Sequence, residues 1–415
     1  MSENNSATED VKSQSSGSTS GERADVCEKQ STSRQLVMIV FIMAFATKMF
    51  LLPIFLIQTI GRDAYIALAI GGGIDLSALA VFIVCMVKAQ TDFFTILSAV
   101  LGKVGAKITV GIIGLFLFFK LNIGISETLR FYSGSVFGDF NVLFMLVPLL
   151  IFFCAVANHT LRALCRLNEI ILPLIVVCIA ILITVVALTG FDLANIFPSM
   201  QYPDVFKTEA VHHAAWLGDF TPLVLFVGRT KTKKHTALFA GISGTVGTGI
   251  AVFFALVMSA AFGNVRVLVD SSTNLSSILQ YSLGNVYGRV DLFSSVIWSI
   301  STFIESALLY YAACRCFAFV IGKNAHFWIA LIAALATYLI QVCAMTDPTV
   351  FSVIVTSIVT SVATLTLTVA TPALALVCTL VHRMRCEKDV SGGDSKQSGD
   401  CIGDATRRVN GENRI

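Results

Sequence analysis

Charge is what this chain has least of. Of its 415 residues only 13 % are Asp, Glu, Lys or Arg, against 55 % hydrophobic, and the mean hydropathy is +0.80. Soluble domains carry about twice that charge fraction, so an ordinary soluble enzyme or binding module is excluded. The net charge of +3 is small and sits in loops and tails, without the clustered basic face a nucleic-acid partner needs. The six histidines form no HExxH or HxxxH pair, and the cysteines form no CxxC, only the lone CxC of Cys314 and Cys316. Scattered through apolar segments (Cys85, Cys154, Cys178, Cys343, Cys378), they read as small apolar fillers of helix interfaces rather than disulfides or metal ligands. No Walker A or Rossmann signature is present, and Gly71-Gly72-Gly73 lies inside an apolar run, where it reads as helix packing. Neither metal nor cofactor is expected. A secretory signal peptide is not expected either: the first 34 residues, around SQSSGSTSGE, are polar and without the apolar core of such a peptide.

What the chain does have is apolar runs, recurring too often for anything but an all-α, polytopic membrane bundle. They divide at roughly 36–59, 64–87, 107–132, 142–160, 168–190, 211–228, 236–262, 290–320, 326–345 and 350–382, about ten spans by the length a bilayer requires. The organisation expected is a disordered polar tail (1–34), a transmembrane domain (35–385) and a second disordered tail (386–415). Lys and Arg set the orientation. One side's short loops hold Lys88, Lys103, Lys107, Arg162, Arg166, Arg229, Lys231, Lys233, Lys234, Arg315 and Lys323; the other side's hold Arg62, Arg130, Lys207, Arg266 and Arg289. With the basic His382–Arg385 on the richer side, both termini are placed in the cytoplasm. The seventh span is the most glycine-rich (Gly241, Gly244, Gly247, Gly249), which permits close helix contact. The last carries a stripe of Ser357, Ser361, Thr364, Thr368 and Thr371 at helical spacing, suited to interhelical hydrogen bonds.

Two spans look broken. In the first, Lys48 lies about 13 residues from either end, on the order of 20 Å at helical rise and beyond an easy snorkel to the surface. A bare ammonium at that depth costs about 3 kcal/mol on insertion scales. Pro53, one to two turns later, withdraws a backbone donor, so the helix should loosen around Met49. In the sixth, Leu217-Gly218-Asp219-Phe220-Thr221-Pro222 falls mid-span, with Gly and Pro weakening the ladder on either side of an acid. Glu305 lies about 15 residues into the eighth span. One cation and two anions at one depth are cheaper together than apart. Loosened backbone at that depth is tolerated only where protein buries it or it lines a wet cavity. Interrupted helices five spans apart are what a five-plus-five inverted-repeat transporter predicts, with ligand held at the breaks. Half-helix amide ends suit a carboxylate, and side chains and freed carbonyls suit an amine, so a zwitterionic amino acid fits; a buried ion-pair network without ligand is the other reading of the same charges. The candidate ligand-binding residues are Ala46, Thr47, Lys48 and Met49 at the first break, Leu217, Gly218, Asp219 and Thr221 at the second, and Ser301 and Glu305 on the eighth span. Glu127, toward the outer end of the third, is a further candidate, for an access path or a simple surface role as much as for binding.

The run Leu161-Arg162-Ala163-Leu164-Cys165-Arg166-Leu167-Asn168-Glu169-Ile170-Ile171-Leu172-Pro173, followed by Phe191-Asp192-Leu193-Ala194-Asn195-Ile196-Phe197-Pro198, resembles the fourth-to-sixth helix region of spore-germination permeases, the integral B subunits of nutrient germinant receptors. Gly288-Arg289-Val290-Asp291-Leu292-Phe293 with Ile297-Trp298 looks like the start of that family's eighth helix. Pro53 with Gly61-Arg62-Asp63-Ala64-Tyr65 fits its first hairpin, and Lys231-Lys233-Lys234 its basic loop after helix six. The resemblance covers about residues 35–385. It implies the LeuT-like ten-helix inverted repeat of the amino acid–polyamine–organocation (APC) superfamily, with helices 1 and 6 discontinuous. It implies sensing of an amino acid or other small nutrient in the inner membrane of a bacterial spore, beside A and C subunits. Two departures stand out: Ala46-Thr47-Lys48 where glycines are common, and Gly218-Asp219 where Gly-Glu is frequent. Some superfamily relatives use a lysine amine where others bind sodium, which implies for Lys48 a part in proton coupling or in fixing the broken helices.

The near rival to a receptor subunit is an amino-acid permease that moves its substrate. A rival of another class is an intramembrane serine protease, since Gly241-Ile242-Ser243-Gly244 matches a GxSG pattern. That chemistry needs a histidine within reach of the serine, and His326 and His382 lie at predicted span ends.

Overall fold

The computed structural model describes residues 32–49, 51–89, 91–133, 143–189, 197, 203–230, 232–262, 290–322 and 326–391. The first crossing is two helices, α1 (Ser33–Phe45) and α2 (Leu51–Ile60), with turn geometry over 46–49 between them. Pro53 lies in the first turn of α2, where a missing N–H leaves no bond unmade. A 3-10 turn at Gly61–Asp63 leads into α3 (Ala64–Lys88), and Arg62 donates to the Phe197 carbonyl.

Next come α4 (Phe93–Tyr132), α5 (Leu143–Asn158) and α6 (Leu161–Thr189). The fourth helix starts well before the expected residue 107. Phe93, Phe94, Ile96 and Leu97 bury against the core, and the helix then bends at Gly102 into the crossing. Similarly, α6 starts at Leu161 rather than 168 because Leu161, Leu164 and Cys165 form a buried stripe at helical spacing. The sixth crossing is the least regular: α7 (Pro203–His212), a 3-10 turn (His213–Trp216), extended backbone at Leu217, and a second 3-10 turn (Thr221–Leu225). Then follow α8 (Lys234–Phe262), α9 (Val290–Ile321), α10 (His326–Thr346), the short α11 (Pro348–Thr356) and α12 (Ile358–Ser391). The tenth expected span is thus divided. Ser357 takes extended backbone and its Oγ accepts the Thr360 N–H at 3.2 Å, which starts α12 afresh. The helix runs to Ser391, past the expected boundary at Arg385.

Among the described residues, α3, α4, α6, α8, α9, α10 and α12 are long and apolar enough to cross a membrane. With the two interrupted crossings and α5, the ten spans occur in the order read from the sequence, and the fold is all-α. Isoleucine, leucine, valine and aromatic side chains stand exposed along the outer faces of α4 and α10, among them Val104, Ile108, Leu115, Ile332 and Leu335. That is a surface for acyl chains, not water.

Packing at the centre depends on small residues. α1 lies along α8 and α4 along α9. A Cβ on Gly247 would sit 2.8 Å from the Ala44 Cβ and 3.0 Å from the Phe41 carbonyl oxygen, so α8 approaches the backbone of α1 as only glycine allows. The Ser243 hydroxyl of the GxSG pattern donates to the Val37 carbonyl at 2.8 Å, an interhelical bond on the same interface.

Candidate functional site

The breaks in the first and sixth crossings face each other, and Lys48 lies between them. It is 1 % exposed. Its ammonium pairs with Asp75 Oδ2 on α3 at 2.5 Å and with Asp219 Oδ2 at 2.9 Å, and it lies 6.0 Å from the centre of the Phe220 ring. Two carboxylates on one ammonium repay part of the desolvation that isolated charges would suffer.

The sixth break is organised around Gly218 (φ +93), in the left-handed region that favours glycine. A Cβ there would lie 2.7 Å from both Phe116 Cζ and Thr368 Oγ1. Its N–H, freed from any helix ladder, donates to Asp75 Oδ1 at 2.8 Å, and its carbonyl accepts from Thr221 N at 3.1 Å. Asp75 therefore holds both breaks, one with each oxygen.

A second lysine completes the network. Lys120 on α4, 6 % exposed, donates to Asp219 Oδ1 and to the Trp216 carbonyl, both at 2.7 Å. The Trp216 indole N–H in turn donates to Glu127 Oε1 at 2.7 Å. Glu127 is thus buried and tied to the sixth crossing, which does not fit a simple surface role.

Glu305 on α9 is 2 % exposed, and neither of its carboxyl oxygens has a hydrogen-bond partner among the described residues. Its electrostatic neighbours are Asp219, Lys120, Lys48 and the Thr47 N–H. The Thr47 hydroxyl is likewise buried without a partner. Ala46 and Met49 are wholly buried in the apolar core around the break. Leu217 packs its Cδ2 near Gly71 of α3, and Thr221 is buried at the start of its 3-10 turn. Ser301 is buried too, but its hydroxyl donates to the Ile297 carbonyl one turn back at 2.9 Å and is engaged within its own helix. From the last-span stripe, Ser361 donates to the His212 carbonyl at 2.7 Å, whereas Thr368 bonds back to Thr364 in its own helix.

Asp75 and Lys120 are the site residues that sequence reasoning missed. Both sit mid-span in apolar runs, AIGGGIDLSALAV and GLFLFFKLNIG. The depth argument applied to Lys48 would have flagged each of them. A cavity of about 180 Å³ opens beside Lys48, walled by Leu52, Leu56, Leu68, Gly71, Leu217 and Leu365 among others. Such a space suits a small, largely apolar group. No cluster of three or more His, Cys, Asp or Glu side chains placed as metal ligands occurs among the described residues.

The sequence profile of the spore permease family, described as "spore germination protein", matches residues 31–350. No curated protein matches by sequence. Among solved structures, a single-residue variant of the manganese transporter of Eremococcus coleocola aligns at 10 % identity over 91 % of each chain, with a TM-score of 0.48. A second variant of that transporter aligns at 12 % identity over 90 % of each chain, TM-score 0.46. The same transporter with an aromatic bis-isothiourea compound aligns at 11 % over 91 % of each chain, TM-score 0.44.

Proposed function

The chain belongs to the spore germination protein family, and from that premise we propose that it is the membrane subunit of a nutrient germinant receptor, binding an amino acid or similar small nutrient between the two breaks. The coarser statement, a multi-pass membrane protein of permease type, follows from the family and the apolar helices. The observation that carries the proposal is the buried carboxyl of Glu305, which has no side-chain partner among the described residues and lies against the Thr47 N–H of the first break. Lys48 and Lys120 bring two ammonium groups to the centre, and Asp75, Asp219 and Glu305 bring three carboxyl groups before Glu127 is counted. The amide of the sixth break is already taken by Asp75. Carboxyl groups outnumber ammonium groups here, and an amine that approached Glu305 would give it the ion-pair partner it lacks, so the amine of the nutrient is the group recognised. Thr47 is the neighbouring hydroxyl, and the small apolar cavity lies on the α3 side of Lys48, walled by neither Glu305 nor Thr47.

Bound nutrient would favour one arrangement of the two breaks, by no more than its differential affinity for the two states. The A and C subunits of the receptor, in the spore inner membrane, would read that change. A permease that carries the nutrient across uses the same site. The two differ in one experiment: radiolabelled amino-acid uptake by proteoliposomes holding this chain alone, beside thermal-shift binding by the purified chain. Binding without uptake supports the receptor; saturable uptake supports the permease. No shift with any amino acid, amine or other small nutrient would remove the reading altogether.

A further inference from the structure

On the face where α1 begins, away from the breaks, the chain ends of α4, α6, α9 and α10 surround a cavity of about 840 Å³. Its polar lining is dominated by Arg162, Arg229 and Arg315, with His326 and one acid, Asp92. Among the described residues none of the three arginines is in an ion pair, and Asp92 accepts the Thr95 hydroxyl at 2.6 Å. Two of the three guanidinium groups lie against aromatic rings. Arg315 lies 4.9 Å from the centre of the Tyr311 ring and donates to the His159 carbonyl at 3.2 Å, and Arg229 lies 5.8 Å from the Phe94 ring. The Nε atoms of Arg162 and Arg315 are buried with no hydrogen-bond partner. Buried charged donors without acceptors are costly in a folded protein. Such an arrangement suits an anion, and planar guanidinium forks suit the oxygens of a phosphate.

Two further observations indicate where that phosphate comes from. Phe327 and Trp328, directly after His326, stand 59 % and 62 % exposed at the start of α10. The indole of Trp328, an apolar body with a polar N–H, is the kind of side chain that settles at headgroup depth. One wall of the cavity is apolar, with Phe94 and Phe319 stacked at 5.0 Å, which suits the glycerol and upper acyl region of a lipid better than a hydrated ion. We propose that this cavity binds the phosphate headgroup of an anionic phospholipid, independently of the nutrient site. Basic pockets between membrane helices are the general setting for such recognition.

The test uses the full chain in nanodiscs of phosphatidylcholine with and without phosphatidylglycerol. Native mass spectrometry counts retained lipid, and thermal melting reads stability. The expected result is selective retention of phosphatidylglycerol with a raised melting temperature, both lost in Arg162→Gln/Arg315→Gln and kept in Arg34→Gln. Arg34 serves as control because it lies on the same face and pairs with Glu169 at the surface. If the double variant does not fold, Arg315→Lys keeps the charge and loses the fork; losing one charge-assisted bond should lower retention about tenfold. Equal retention of the two lipids, or a preference unchanged in the arginine variants, overturns the proposal. The full stabilisation by inorganic phosphate in phosphatidylcholine discs overturns the lipid as source and leaves a soluble phosphate in its place.

Discussion

Asp75 holds Gly218 in place: its Oδ1 accepts the Gly218 N–H at 2.8 Å while its Oδ2 receives the Lys48 ammonium at 2.5 Å. One side chain of α3 therefore links the break of the first crossing to the break of the sixth. It substitutes for the ladder bonds that both breaks have lost.

Asp75→Ala should accordingly destabilise by about 3–5 kcal/mol, the usual cost of removing one partner from a buried ion pair. The measurement is thermal unfolding of the purified chain in detergent. Adding Lys48→Met should cost less than Lys48→Met costs alone, since the pairing with Asp75 is already gone while Asp219 still holds the ammonium. A double-mutant cycle with no coupling between the two positions would separate them.

Gly218→Ala meets two obstacles, a left-handed backbone and side chains at 2.7 Å. Strain of about 1–3 kcal/mol is expected, with loss of ligand response. Gly249→Ala on α8 has nothing within 4 Å of the added methyl, and should be neutral or stabilising by up to about 1 kcal/mol. Equal melting temperatures for the two variants would contradict this.

Trp216→Phe keeps an aromatic ring against Phe55, whose centre lies 5.7 Å away. It removes the N–H that Glu127 accepts at 2.7 Å. Leaving that buried acceptor unsatisfied should cost about 1–3 kcal/mol. Glu127→Gln in the Trp216→Phe background should recover some of it, as followed by thermal unfolding.

The cap on α11 should respond to acid. Asp347 accepts the Thr349 hydroxyl at 2.5 Å and the Val350 N–H at 3.3 Å, and these bonds hold its carboxyl below the ordinary value of 3.8. A depressed folded value means the cap contributes above about pH 3.8 and is lost as pH falls through the lower, folded value. Hydrogen exchange at the Val350 amide should quicken over that acid range. In Asp347→Asn, which keeps an acceptor without the charge, it should follow only the intrinsic pH dependence.

The amino-acid order alone determined the membrane class, the ten spans and the two interruptions, because each follows from local chemistry: apolar length, a misplaced charge, a glycine or proline beside it. It also brought Lys48 and Asp219 to one depth, since depth is a count along a helix. Tertiary structure decided the rest. That Lys48 shares itself between Asp75 and Asp219, that Lys120 reaches the sixth break, and that Glu127 turns inward to Trp216 depend on rotation about each helix axis and on which helices are neighbours. The arginine-lined cavity is of the same kind. Its residues come from four helix ends and one connecting segment scattered along the chain, and only folding makes them adjacent.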